Sequence, residues 1–332
     1  MRTAWEATLS RRITSLLLAA ALTAASAIAA KAQDWPSKPI TMVVPYAAGG
    51  GTDVIARAVA QKLQDRLGVG VVVENRAGAG GNLGTTAAAQ APADGYTVLI
   101  SNIGPMAVNP SLFKNLKHDP AEVLEPVTLI AKAPLLLLVH SSVKANSVAE
   151  LIALAKAQPE WLTYGTAGHG SANHIATALF ELMAGVKLKH APYRGAGPAL
   201  NDLLGGHIPM MFATLPSAIG HVNGGGLKAL AVTTAERAPA LPQVPTLAEA
   251  GVPGYEASGW YGVFVRKGTA QAIIDKLRSE VATIINLPEV RKNLELEGAQ
   301  PIGNTPGEFA AFVKAEREKW SKVVAEADIK IE

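Results

Sequence analysis

The chain has 332 residues, 49% hydrophobic and 17% charged, a composition that buries a large core and excludes a disordered or low-complexity protein. At roughly 100–200 residues per domain, the length fits two domains. There is no cysteine, which excludes disulfides, thiolate metal sites, a cysteine nucleophile and lipid attachment through an N-terminal cysteine.

Taken in chain order, the elements begin with a leader. Arg11 and Arg12 precede an apolar, alanine-rich run from Ile13 to Ala29. Ala30-Lys31-Ala32 then offers a small-x-small cleavage site before Gln33, with Ala27-Ile28-Ala29 as a second candidate. This is the layout of a secretory signal peptide over residues 1–32. A membrane anchor is the competing reading, but a run of about 17 residues poor in large side chains is short for a span. Ser10-Arg11-Arg12 also fits a twin-arginine signal, so the export route stays open. Residues 1–32 hold four basic groups and one acidic group, so they account for the whole net charge of +3 and the remainder is neutral. With no basic stripe interleaved with aromatics, nothing points to a nucleic-acid partner. No later stretch reaches membrane-spanning length, so the mature protein is expected to be soluble.

From residue 38 on, short β-branched runs alternate with amphipathic patterns, which predicts an α/β fold. Ile40–Val44 reads as a strand, followed by the glycine loop Ala47–Gly51 and a helix with Ile55, Val59, Leu63 and Leu67 on one face, ending at Gly68. Val71–Val73 is a strand, 76–81 a glycine loop, Leu83–Gln90 a helix and Tyr96–Ile100 a strand. Val127–Ile130 and Leu135–His140 read as two strands broken by Pro134, where a domain crossing is expected.

The plan then repeats: strand Trp161–Tyr164, loop Gly165–Gly170, helix Ser171–Met183, strand Lys189–Pro192 and helix Pro198–Leu204. Strands at Met210–Thr214 and Leu227–Thr233 precede a proline-rich stretch, and Trp260–Val265 reads as the return crossing. The tail is helical. Ile273, Leu277, Val281 and Ile284 form one stripe, and Thr305-Pro306-Gly307-Glu308 is a capping box opening a helix with Phe309, Phe312, Val313, Glu316, Trp320 and Val323 on one face. Glu316 is the polar exception on that stripe. These helices are expected to pack on the first domain. The expected division is 33–134 plus 256–332 for one lobe and 135–255 for the other.

Four strand-to-helix corners are built on glycine: Gly49–Gly51, Gly78–Gly81, Gly165–Gly170 and Gly195–Gly197. Backbone N–H groups and the helix dipole favour an anion at such a corner, and ligands of open α/β sheets bind outside the strand ends. One corner alone is an ordinary tight turn; four together predict an anion site. Phosphate motifs are missing: there is no G-x-x-x-x-G-K-[ST], and the dinucleotide pattern fails because Leu83 stands where its third glycine belongs. Asp53 at the helix start either caps the helix or meets the ligand. Arg76 and Arg194 either pair an acidic ligand or are ordinary exposed loop residues.

Enzyme patterns are weak. Ser171 with His169 and His174 lacks a G-x-S-x-G elbow, and Ser141-Ser142-Val143-Lys144 lacks the companions of the S-x-x-K pattern. The seven histidines have no compact spacing along the chain, so no metal site and no cofactor are expected.

Several ordered motifs carry a family resemblance. Trp35–Ile40, Val44–Asp53 with Ala56-Arg57, Glu74–Gly81, Ala93–Thr97, Asn109–Leu112, Ala191–Gly195, Pro198–Gly206 and Leu227–Val232 together resemble the Bug family, the periplasmic binding components of tripartite tricarboxylate transporters. The resemblance spans essentially all of the chain after the leader. It implies a two-lobed type II periplasmic binding protein fold, each lobe a mostly parallel sheet flanked by helices. It also implies a small carboxylate ligand, held by backbone groups, hydroxyls and waters more than by an arginine clamp. By resemblance the first lobe contributes Tyr46, Gly50, Gly51, Thr52, Asp53, Gly80, Gly81, Asn82 and Asn102. The second contributes Thr166, His169 and Ser171, with Arg194 and Phe212 nearby, and Met106 and His169 are placed to set selectivity. The implied partner is a two-component membrane permease, and the protein is expected to act as a monomer. A secreted serine hydrolase using Ser171 or Ser142, and a sensory binding protein, remain as alternatives.

Overall fold

The computed structural model of the chain describes residues 35–159, 161–296, 298–326 and 329. The expected signal peptide and its cleavage sites lie outside the described residues. β1 (Ile40–Val44), β2 (Val71–Asn75) and β3 (Thr97–Asn102) form the first sheet region, with β1 pairing parallel to both neighbours. β1 is buried on nearly every residue, which is why its sequence runs apolar instead of alternating. Helix α1 (Gly51–Leu67) follows β1 and turns Ile55, Val59 and Leu63 inward; α2 (Asn82–Gln90) follows β2.

A long strand, β4 (Leu124–His140), leads to α3 (Val148–Ala157). The strand–helix plan then recurs as β5 (Thr163–Thr166), α4 (Ala172–Ala184), β6 (Lys189–Pro192), α5 (Ala196–Leu204), β7 (Met210–Thr214), α6 (Leu215–Asn223) and β8 (Leu227–Val232). β9 (Ser258–Arg266) returns to the first region, and the chain ends in α7 (Gln271–Ile285), α8 (Pro288–Leu296), β10 (Gln300–Pro301) and α9 (Pro306–Glu326).

The strands run in the order β2-β1-β3-β9-β4-β7-β5-β6, with β8 and β10 also on β4. Pairing is parallel toward both ends, where strand–helix–strand units recur, and antiparallel in the middle, where β9 returns beside β3 and β4. One expectation is corrected. Pro134 does not break the strand: β4 runs through it for 17 residues. Up to Pro134 it pairs with β9, and from Leu135 it pairs with β7. The residue with no N–H stands at the seam between two ladders, where a missing donor disturbs least. β5 likewise begins two residues later than Trp161, which is exposed.

The tail is built as its sequence predicts. Thr305 and Glu308 form the reciprocal capping box, with Thr305 N–H to Glu308 Oε2 at 2.8 Å and Glu308 N–H to Thr305 Oγ1 at 3.3 Å. α9 buries Phe309, Val313 and Trp320, and packs on β4 and on the helical turn Gly104–Val108. Glu316 is explained by its partners: its Oε2 accepts from the indoles of Trp260 at 3.0 Å and Trp320 at 3.2 Å.

Candidate functional site

Four helices begin at one cavity. Gly50–Asp53 at the head of α1, Ser171–Asn173 at the head of α4, Ala196 at the start of α5 and Thr214 before α6 all line it. Each helix start carries roughly half a positive charge and N–H groups without intrahelical acceptors. At α1, Asp53 and Val54 donate to Gly50 O, at 2.9 and 3.0 Å, while the Gly51 and Thr52 amides have no backbone acceptor among the described residues. Tyr46, Asn102, Ala167, Gly259, Trp260 and Tyr261 complete the lining. No lysine or arginine is among the lining residues. What favours an anion here is therefore the peptide dipoles, set against an Asp53 carboxylate that Arg57 pairs, and the specific donors are backbone amides and hydroxyls.

The polar groups are fixed in a network. Asn102 Nδ2 donates to Thr52 Oγ1 at 2.9 Å, and Tyr46 Oη lies 3.2 Å from Asn102 Oδ1 and 3.3 Å from Gly80 O, donating toward both. Burial raises the Tyr46 pKa above its ordinary value, outweighing the Asn102 hydrogen bond, so the phenol stays protonated. Asp53 is not the N-cap; Gly50 is, and Asp53 sits third in the helix and reaches back to Gly49 N–H at 3.0 Å. It also accepts from Arg57 Nε at 3.0 Å and Asn75 Nδ2 at 2.9 Å. Burial opposes its ionisation, but the Arg57, Gly49 and Asn75 hydrogen bonds outweigh it and hold the carboxyl below the usual range. Asp53 therefore braces the glycine corner with every strong acceptor position engaged.

Two glycines are required by close approach. A Cβ on Gly51 would lie 2.3 Å from both Thr214 Oγ1 and Tyr261 Oη. On Gly80, with φ +61°, it would lie 2.0 Å from His169 O across the cleft. The two sheet regions thus touch around the cavity, and Ala47 N–H donates to Arg194 O at 3.1 Å between them. The space in the cavity is about 20 Å³, which accommodates one water-sized group. A solute of several heavy atoms does not fit that space as it stands.

Of the residues expected from sequence, Tyr46, Gly50, Gly51, Thr52, Asp53, Asn102 and Ser171 line the cavity. Gly80 and Gly81 stand behind it, Gly80 through its carbonyl and Gly81 against the Tyr46 ring. Asn82 is turned to Asn109, whose Nδ2 donates to its Oδ1 at 2.7 Å. Arg194 is exposed and contributes its carbonyl, while Arg76 is paired with Glu74. Phe212 is fully buried in the core beside Phe180 and Tyr255, and Met106 is buried in the same core. Thr214, Trp260 and Tyr261 were not anticipated. Thr214 follows Phe212 by two residues on the same face of β7, and only its helix-capping position could have marked it.

Thr166 is buried, and its Oγ1 lies 2.7 Å from His190 Nε2. It belongs with His169 to a second cluster, where the rings of His169, His174 and His190 pack at centroid separations of 4.4 to 5.6 Å. Spacing along the chain gave no hint of this grouping; the parallel register of β5 and β6, with Tyr164 opposite His190, creates it. Burial, then His190 and His169, push His174 down to about 3. Burial and then His169 push His190 down to about 4.

The hydrolase arrangement does not form at Ser171. Its Oγ accepts the His174 backbone N–H as the cap of α4, and the His174 ring accepts from Gly170 N–H at 3.1 Å. Ser142 lies on an exposed turn, 2.7 Å from His140 Nδ1.

Residues 55–329 match the model of the tripartite tricarboxylate transporter family receptor. The chain belongs to this family. Its members are periplasmic solute-binding receptors. Protein BugT of Bordetella pertussis (strain Tohama I) is 39% identical over 310 residues, spanning 93% of this chain and 95% of the relative. Among solved structures, R. palustris Rpa4515 with adipate superposes with a TM-score of 0.87 at 39% identity, over 90% of this chain and 99% of that one. MatC from Rhodopseudomonas palustris, with bound malate, superposes with a TM-score of 0.84 at 32% identity, over 87% and 100%. No helix among the described residues is long and apolar enough to cross a membrane.

Proposed function

We propose that this receptor captures a small dicarboxylate in the cavity between the two sheet regions and delivers it, in the closed form, to a two-component membrane permease. The observation that carries the carboxylate reading is the convergence of four helix N-termini and the hydroxyls of Thr52, Ser171 and Thr214 on a cavity with no cationic side chain in its lining. Such a site suits a delocalised oxyanion bound by amides and hydroxyls. The adipate and malate held by Rpa4515 and MatC support the same ligand class.

The lobes proposed are 33–134 plus 256–332 and 135–255, the chain leaving the first through β4 and returning through β9. The Pro134–Ser258 pair, where the β4 ladder changes partner, supports a hinge at that point. Ligand shifts the open–closed equilibrium only by its differential affinity for the closed state. We place the processed protein, from Gln33 on, in the periplasm as a monomer.

The test is a thermal-shift screen of the refolded chain against a panel of carboxylic acids and amino acids, refolding being used to strip any retained ligand. Dicarboxylates are expected to raise Tm with concentration, the stabilisation being about 2.7 kcal/mol at a hundredfold excess over Kd. A panel in which no carboxylate shifts Tm, or in which neutral analogues shift it equally, contradicts the reading.

A further inference from the structure

The three clustered histidines have no place in the proposed carboxylate cradle. They line a separate, open cavity of about 920 Å³, together with Tyr164 and Glu181. We propose that His169, His174 and His190 form a binding site for one divalent transition metal ion that prefers imidazole, of the zinc type. Each ring offers a nitrogen, and these nitrogens lie within 4.8 Å of one another. A tetrahedral centre with metal–nitrogen bonds of about 2.0–2.1 Å sets its ligands about 3.4 Å apart, so movements of about 1 Å close the set. His169 and His190 are only partly buried, which leaves room for that adjustment and a path for a hydrated ion.

At His190 the surroundings match what a metal-bound imidazole needs. Coordination through one ring nitrogen requires an acceptor for the other. Thr166 Oγ1, which accepts from Gly168 N–H at 3.1 Å, is 2.7 Å from His190 Nε2 and can accept a hydrogen bond from its N–H, leaving Nδ1 for the metal. Tyr164 stacks on the same ring at 5.0 Å and 15° and fixes its plane. At His174, the Gly170 N–H that now bonds Nδ1 must yield as the metal binds, and Gly170, at φ +74°, lies in a loop of glycines able to turn. Three imidazoles leave a fourth position, which the open side of the cavity supplies with water or an anion. The His169 carbonyl faces Gly80 across the cleft, so a metal that fixes His169 also bears on closure.

The experiment is a titration of the untagged, chelator-treated protein with Zn²⁺, repeated with Co²⁺ to read visible absorption. The expected result is one equivalent of Zn²⁺ and an intense four-coordinate Co²⁺ spectrum. His169→Gln and His190→Gln each weaken Zn²⁺ binding on the order of tenfold or more. His221→Gln, outside the cluster, does not. Circular dichroism of the metal-free variants checks that both partly buried positions tolerate the change. Binding of no equivalent, a binding curve that survives the His169→Gln/His190→Gln pair, or equal loss in His221→Gln overturns the proposal.

Discussion

Gly51 and Asp53 divide the labour at the first corner. In the proposed cradle Gly51 would bring the backbone to the ligand, and its missing side chain leaves space that the Thr214 and Tyr261 hydroxyls occupy. Gly51→Val is expected to lower dicarboxylate affinity by roughly 10–100-fold, about 1.4–2.8 kcal/mol, and, because its side chain meets the Thr214 and Tyr261 hydroxyls, to lower Tm of the ligand-free protein as well; calorimetric titration and thermal unfolding check the two. Asp53 acts through the backbone. Its pKa is lowered on folding, so its contribution is complete above about pH 4, the unfolded value, and is lost as pH falls through the lower folded value. Asp53→Asn should therefore cost roughly 1–3 kcal/mol at pH 7 and flatten the loss of stability on the acid side, measured by denaturant unfolding across pH. The glycine corner was legible in the sequence because turn, cap and helix start are adjacent along the chain. Thr214, Trp260 and Tyr261 were not, because strand register alone brings residues more than 150 positions away to Gly51. Phe212 shows the same limit from the other side. The family resemblance pointed to the correct strand, and the core ends two residues before the cavity begins.

At the scale of elements, α9 fastens the cleft wall through Glu316. Trp260 lines the cavity and donates its indole N–H to that carboxylate. Glu316→Ala leaves two indole donors without their acceptor and is expected to destabilise by about 2–4 kcal/mol, whereas Glu316→Gln keeps an acceptor oxygen and should cost clearly less. Chemical denaturation of the pair separates packing from hydrogen bonding. Thr305→Ala removes half of the capping box and should cost about 1 kcal/mol. The capping box and the α9 stripe were readable because they are local patterns. The second partner of Glu316 was not, since Trp260, unlike Trp320 on the same helix, reaches it only through the placement of β9. β4 failed as a sequence prediction for a related reason: a proline punctuates a strand only if its ladder needs the N–H, and at residue 134 the ladder is changing partner.

At the scale of the whole molecule, the two sheet regions are joined by the long antiparallel pair of β4 and β9 and meet around a cavity already closed to about 20 Å³. That geometry calls for opening before a dicarboxylate enters, so small-angle scattering should show a wider ligand-free form that contracts when ligand is added. The alternating plan and the paired corners made an α/β fold legible from sequence, while the sharing of one strand between both regions became visible only in the pairing. The most direct test of the central claim compares a dicarboxylate with its uncharged diamide by calorimetric titration of the refolded protein. The account predicts one site per chain for the dicarboxylate, lost for the diamide and weakened in Gly51→Val. Equal affinity for acid and diamide, or an unchanged affinity in Gly51→Val, would contradict it.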